Sequence, residues 1–189
     1  MARLSRAKSQ ALTRERLLAA ASELFAREGY ATTSVDRIAA AAGYSKGAVY
    51  SNFEGKEAIF LAVLERQGQE ALDALLAGIA AAPDAAGAIE LLAAWADARS
   101  GSGTWSLTIL EHARLAAPGA PSLRRQEAII RDHWRQLGEG LRRRFPGLAG
   151  EGETLGALLH EIAYAPALTF IARPRPGDLV RLAMARLLA

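Results

Sequence analysis

The chain has 189 residues, no Cys and 42 Ala, with 51% hydrophobic and 23% charged residues and a formal net charge of +3. That length and balance suit one large domain, or a small and a medium one, with a buried core rather than a disordered chain. The lack of Cys excludes a disulfide scaffold, a Cys-ligated zinc site and a cysteine nucleophile, and no run approaches the roughly 18 apolar residues of a membrane span.

Ala and Leu are abundant, aromatics make up only 6%, and apolar residues recur at spacings of three and four throughout, so the chain is expected to be all-α. The first segment, about 10–28, places Leu17, Leu18, Ala21, Leu24 and Phe25 on one stripe and stops at Gly29. Arg14, Glu15 and Arg16 interrupt the basic N-terminus before any signal-peptide core forms. The second helix is short, capped by Thr33 or Ser34, with Val35, Ile38, Ala39 and Ala42 inward, and it ends at Gly43. A third runs from Ser45 to about Phe53, and a fourth of about 25 residues starts near Glu54 and is expected to bend at Gly68. Five more follow, at about 84–100, 104–117, 121–145, 151–172 and 175–188. Their breaks fall at Pro83, Gly101-Ser102-Gly103, Pro118 with Pro121, and Pro146. Pro166 is expected to kink the eighth.

Charge is uneven. Residues 1–56 carry nine Lys/Arg against five Asp/Glu, whereas 57–189 carry 14 against 15. A basic first third joined to a near-neutral remainder suits a polyanion-facing module on a larger body. Residues 34–53 read as a short helix, a tight Gly turn and a second short helix with a polar face, which is the pattern of a helix-turn-helix. Ala39 is small where two helices must approach, and Ile38 and Val49 are placed to pack between them. Ser45 caps the second helix, whose exposed face offers Ser45, Lys46, Gly47, Tyr50 and Ser51. Gly47 inside a helix costs roughly 1 kcal/mol relative to Ala, and close approach of the backbone to a partner is a reason to carry it. Lys46 reaches a phosphate or a guanine edge, Tyr50 donates to a phosphate, and Lys56 at the next helix start suits one too.

Residues 13–64 resemble the DNA-binding domain of TetR-family (tetracycline-repressor-like) transcriptional regulators. The matching stretches are Leu17 to Phe25, Gly29-Tyr30-Ala31-Thr32-Thr33-Ser34-Val35, Ile38-Ala39 with Gly43, Ser45 to Tyr50, Phe53 and Lys56-Glu57. The resemblance implies a three-helix head at 1–55 and a helical bundle at 56–189 that binds a small molecule and forms a homodimer. By position, Ser34 and Arg37 would touch phosphate. Tyr44 would meet backbone or base, and Ser45, Lys46 and Gly47 would meet base edges. Tyr50, Asn52 and Lys56 would hold phosphates. Ser51-Asn52 departs from the family, which often has a bulkier or basic residue and then His. Arg3, Arg6 and Lys8 form a basic arm that either enters a minor groove or stays frayed.

In the larger part, Trp95, Trp105 and Trp134 lie on three helices, and large aromatics suit a mostly apolar cavity. With Ile109, His112 and Tyr164 they form the candidate effector site, against the alternative of plain core packing. Leu155, Leu158, Leu159, Ile162, Leu179 and Leu182 belong to an apolar surface larger than one helix pair hides, and the resemblance pairs it with a symmetry mate. His112, His133 and His160 have no metal-ligand spacing, so no metal or cofactor is expected. Arg142-Arg143-Arg144 reads as a solvated helix end. The reading is a cytoplasmic, ligand-responsive DNA-binding regulator, most simply a repressor of a palindromic double-stranded operator. The competing readings are a constitutive architectural DNA binder and a small helical enzyme. The chain has no phosphate loop, His-Glu-x-x-His or Gly-x-Ser-x-Gly for the last.

Overall fold

The computed structural model describes residues 6–101, 104–169 and 172–189, with side chains described at 7–100, 105–166 and 172–189. The side chains of Arg3 and Arg6, the Ser102-Gly103 step, and the side chains of Leu168, Phe170 and Ile171 lie outside them. Among the described residues there are nine helices and no strand. They are α1 (Arg6–Thr32), α2 (Val35–Ala42), α3 (Lys46–Tyr50), α4 (Lys56–Ala81), α5 (Ala85–Gly101), α6 (Thr104–Leu115), α7 (Pro121–Arg144), α8 (Gly152–Thr169) and α9 (Pro176–Leu187).

The expected order of helices holds, with three local differences. The first helix starts at Arg6, earlier than expected, and its backbone does break at Gly29, the expected stop, where φ 81°, ψ 177° is non-helical, before a further turn to Thr32. The third helix is shorter than expected and ends at Tyr50, with Ser51 as its C-cap. Gly68 lies inside an uninterrupted α4, and its missing Cβ makes room for the His133 ring, which a side chain there would strike.

Packing divides the chain into two compact units that do not follow chain order. The first is Met1–Arg66 with Leu107–Arg125, and the second is Gln67–Ser106 with Gln126–Ala189. The boundary at 55/56 is therefore one of sequence motif, and the helices α4, α6 and α7 each carry residues of both units.

The first unit closes on Leu17, Leu18, Ala21, Leu24 and Phe25 of α1, with Ile38, Val49, Phe53, Ile59, Phe60 and Val63. Its centre is aromatic. Phe25, Tyr30 and Phe60 lie within 5.1–5.9 Å of one another by ring centroid. In the second unit α5 packs on α8 and α9 around Leu92, Ala93, Ala96, Leu141, Leu159, Val180 and Met184. Here α7 and α8 cross almost backbone to backbone. A Cβ on Gly156 would run into the Trp134 carbonyl, and one on Gly138 into the Gly152 carbonyl.

Leu155 and Leu159 were expected at a symmetric interface, but they are 3% and 1% exposed in the second unit's own core. Helical spacing alone could not tell which stripe of α8 the chain covers itself. Leu158 and Leu182 remain 41% and 56% exposed, and Ile162 and Leu179 are half-buried.

Candidate nucleic-acid interface

The interface is built on two short helices that neither length nor propensity would sustain alone, since five and eight residues are below what an isolated helix needs. Caps and burial hold them instead. Ser34 Oγ accepts from the Arg37 amide at 3.3 Å at the start of α2, and Ser45 Oγ accepts from the Ala48 amide at 3.2 Å at the start of α3. Between them Gly43 takes the left-handed conformation, φ 73°, ψ 32°, and its amide closes on the Ala39 and Ala40 carbonyls. Ile38 and Ala39 of α2 and Val49 of α3 are the buried contacts, as the spacing predicts. With Val49 turned inward, α3 turns the rest of its surface outward: Ser45, Lys46, Gly47 and Ser51 are exposed, and Tyr50 is 54% exposed.

Each expected contact residue has a definite place. Lys46 Nζ is 3.0 Å from Asp36 Oδ2, and the pairing holds the ammonium pKa above its usual range. Both side chains are solvated, so this pair leaves Lys46 available to a stronger anion. A Cβ on Gly47 would fit without a clash among the described residues, 3.7 Å from Ser45 Oγ. The Tyr44 hydroxyl interacts with the Thr13 hydroxyl and with Arg16, and its pKa is lowered chiefly by the Thr13 hydrogen bond. The reading turn is thereby tied to the start of α1.

Three residues are occupied by the protein itself. Arg37 forms an ion pair with Glu28 and donates to the Thr32 carbonyl at 3.5 Å. Asn52 donates through Nδ2 to the Ala48 carbonyl at 2.8 Å. Lys56 donates to the Tyr30 carbonyl at 2.9 Å with its ammonium 4.1 Å from the Tyr30 ring centroid, and burial pushes its pKa down. In the free protein, Asn52 and Lys56 therefore brace the head.

Sequence reasoning passed over Arg14 and Arg16 as the polar side of the first helix. The Arg14 guanidinium lies 4.2 Å above the Phe53 ring and donates to the Asn52 carbonyl at 3.0 Å, locking the end of α3 to α1. It also passed over Glu111, which joins the head from 80 residues away.

The candidate effector residues separate. His112 is fully buried in the first unit, 5.1 Å from the Tyr30 ring and 4.7 Å from the Phe60 ring. Ile109 also falls in that unit, and Trp105 in the second. Trp95, Tyr164, His160 and Trp134 form a run of rings within the second unit, with successive centroids 6.4, 4.4 and 5.7 Å apart. Burial lowers the His160 pKa and raises that of Tyr164, so both rings are uncharged at neutral pH. The indole N–H groups of Trp95 and Trp134 are buried and make no hydrogen bond among the described residues. No group of three or more His, Cys, Asp or Glu suited to a metal occurs among the described residues. No described helix is long and apolar enough to cross a membrane.

Residues 17–63 match the family described as bacterial regulatory proteins, tetR family. Over 66 residues, 35% of this chain, the sequence is 42% identical to the transcriptional activator FasR of Mycolicibacterium smegmatis. Such matches span only 18% to 39% of the curated relatives' own lengths. The fold likeness reaches further. The structure of transcriptional regulator SCO7518 from Streptomyces coelicolor A3(2) superposes with a TM-score of 0.71 at 27% identity, over 94% of this chain and 98% of that one. A complex of SmeT with triclosan superposes with a TM-score of 0.55 at 23% identity, over 93% of this chain and 88% of SmeT. The head, residues 17–63, thus matches the DNA-binding part of the tetR family of bacterial regulatory proteins, and the fold of the chain is like that of solved transcriptional regulators.

Proposed function

We propose that the protein binds a palindromic DNA operator as a homodimer and releases it when a small effector binds the second unit. One observation carries the DNA half: α3 buries Val49 and exposes Ser45, Lys46, Gly47 and Tyr50 on one polar, glycine-relieved surface. The expected contacts are base edges for Ser45, Lys46 and Gly47, phosphates for Ser34, Arg37 and Tyr50, and backbone or base for Tyr44. Lys56 and Asn52 contribute by holding the head's shape. The exposed Leu158 and Leu182, with the half-buried Ile162 and Leu179, support a two-fold contact through α8 and α9.

The effector site rests on Trp95, Trp134 and Tyr164, with His160 between them. Two buried indole donors without an acceptor favour a flat, largely apolar ligand that carries hydrogen-bond acceptors. His112 is assigned to the head and not to this site. Repression is the simplest outcome of operator release, while the similarity of the head to an activator favours activation as the second reading.

The test is to select bound fragments from a random duplex pool. A palindrome with half-site centres about 34 Å apart, or a multiple of that, is the expected product. Candidate ligands are then screened for release of that duplex, and transcription from it with and without the protein gives the sign of regulation. A pool that enriches no palindrome contradicts the dimeric reading.

A further inference from the structure

At the break in α1 at Gly29, two consecutive amides, those of Tyr30 and Ala31, donate to a side chain. Both donate to Glu111 Oε2 of α6, at 2.7 and 3.0 Å. Glycine suits this break. Its φ of 81° is one that side-chain-bearing residues avoid, and a Cβ would stand 2.7 Å from that same carboxylate oxygen. The carboxylate, the glycine and the two amides form one constructed receptor.

The other side of the same residue is held as well. The Tyr30 carbonyl accepts from Lys56 at the first residue of α4. Tyr30 is thus held by an anion at its amide and by a cation at its carbonyl, and the Lys56 ammonium feels the Glu111 charge. Thr108 and His112 lie four residues apart on one face of α6, and Thr108 is three residues from Glu111. Thr108 Oγ1 donates to the Phe25 carbonyl at 3.2 Å, and His112 packs on Tyr30 and Phe60.

What lies just downstream is the reading motif. Thr33 donates to the Gly29 carbonyl at 2.8 Å, Ser34 caps α2, and Arg37 pairs back to Glu28. The few residues from Gly29 to Ser34 therefore set where α2 begins, and α2 with Gly43 sets how α3 is presented.

We propose that Glu111 is a positioning residue for DNA reading: its carboxylate, accepting the Tyr30 and Ala31 amides, fixes the junction from which the helix-turn-helix departs. It touches no DNA. Its geometry makes α6 a determinant of how α3 is aimed, because the carboxylate can follow a shift of α6 only by dragging or releasing those two amides. The inference rests on the DNA-binding reading above.

The experiment uses the full chain, the palindrome selected by the wild-type protein, and a scrambled duplex of equal length, well below the melting temperature of every variant. Glu111→Ala is expected to lose about tenfold or more in affinity for the palindrome while binding the scrambled duplex as wild type does, because the part-buried Tyr30 amide and the exposed Ala31 amide lose their shared acceptor and the junction relaxes. Amide exchange at Tyr30 and Ala31 is expected to accelerate in the same variant. Glu111→Gln keeps an acceptor oxygen at the same reach and is expected to restore palindrome affinity to within about threefold of wild type. A palindrome-to-scrambled ratio in Glu111→Ala equal to wild type overturns the inference, and so does a Gln variant as impaired as the Ala variant. Failure of the wild-type protein itself to select a palindrome is a different result, which overturns the DNA-binding reading and this inference with it.

Discussion

Gly47 separates stability from reading at a single position. A Cβ there would fit without a clash among the described residues, so Gly47→Ala is expected to raise stability by up to about 1 kcal/mol. The same methyl would stand on the surface proposed to meet base edges. The variant is therefore expected to melt higher and bind the operator more weakly, which thermal denaturation and a binding isotherm on one preparation would show. Lys46 and Lys56 make a second contrast. Lys46→Ala is expected to weaken operator binding and to relax base preference at its position in each half-site. Lys56→Met removes a donor from the Tyr30 carbonyl, so it is expected to lower the melting temperature and leave that preference unchanged. The sequence puts both lysines in a motif rich in phosphate contacts, and spacing cannot distinguish them. Only the position of Tyr30, 26 residues from Lys56, shows which ammonium the fold retains for itself.

At the scale of elements, the helices were legible because capping and breaking chemistry is local. Ser34, Gly43 and Ser45 act where they stand in the chain, and Pro83, Pro118 and Pro146 fall between helices as expected. Faces were less legible. Leu155 and Leu159 share a stripe with Leu158 by eye, yet α8 turns the first two into its own core. Glu111 carried no signal at all, since its meaning depends on a helix break about 80 residues earlier. The close crossing of α7 and α8 gives a sharp test. Gly156→Ala places a methyl against the Trp134 carbonyl, which cannot rotate away, and is expected to cost on the order of 1–3 kcal/mol or more. Gly147→Ala, with open space around it, serves as the control in the same denaturant titration. His160 on α8 adds a pH dependence. Burial, opposed by Glu161 and assisted by His133, sets its pKa below the ordinary 6.5. The unfolded chain therefore binds a proton first, and stability is expected to fall as pH drops through 6.5 toward the lower folded value. Denaturant midpoints at pH 7.5 and 5.5 would show the loss, and His160→Asn should reduce it.

For the whole molecule, the excess of positive charge in residues 1–56 over the near-neutral remainder places the polyanion-facing role with the head. Operator binding is accordingly expected to weaken steeply with salt, and a scrambled duplex to bind far more weakly at physiological ionic strength. The central claim is that two copies of α3 read successive turns of one groove together. The direct measurement is affinity for the selected palindrome after five base pairs, about half a turn, are inserted between its half-sites. A loss of about a hundredfold or more is expected, because the second α3 then faces the wrong side of the duplex. Unchanged affinity across that insertion would contradict it.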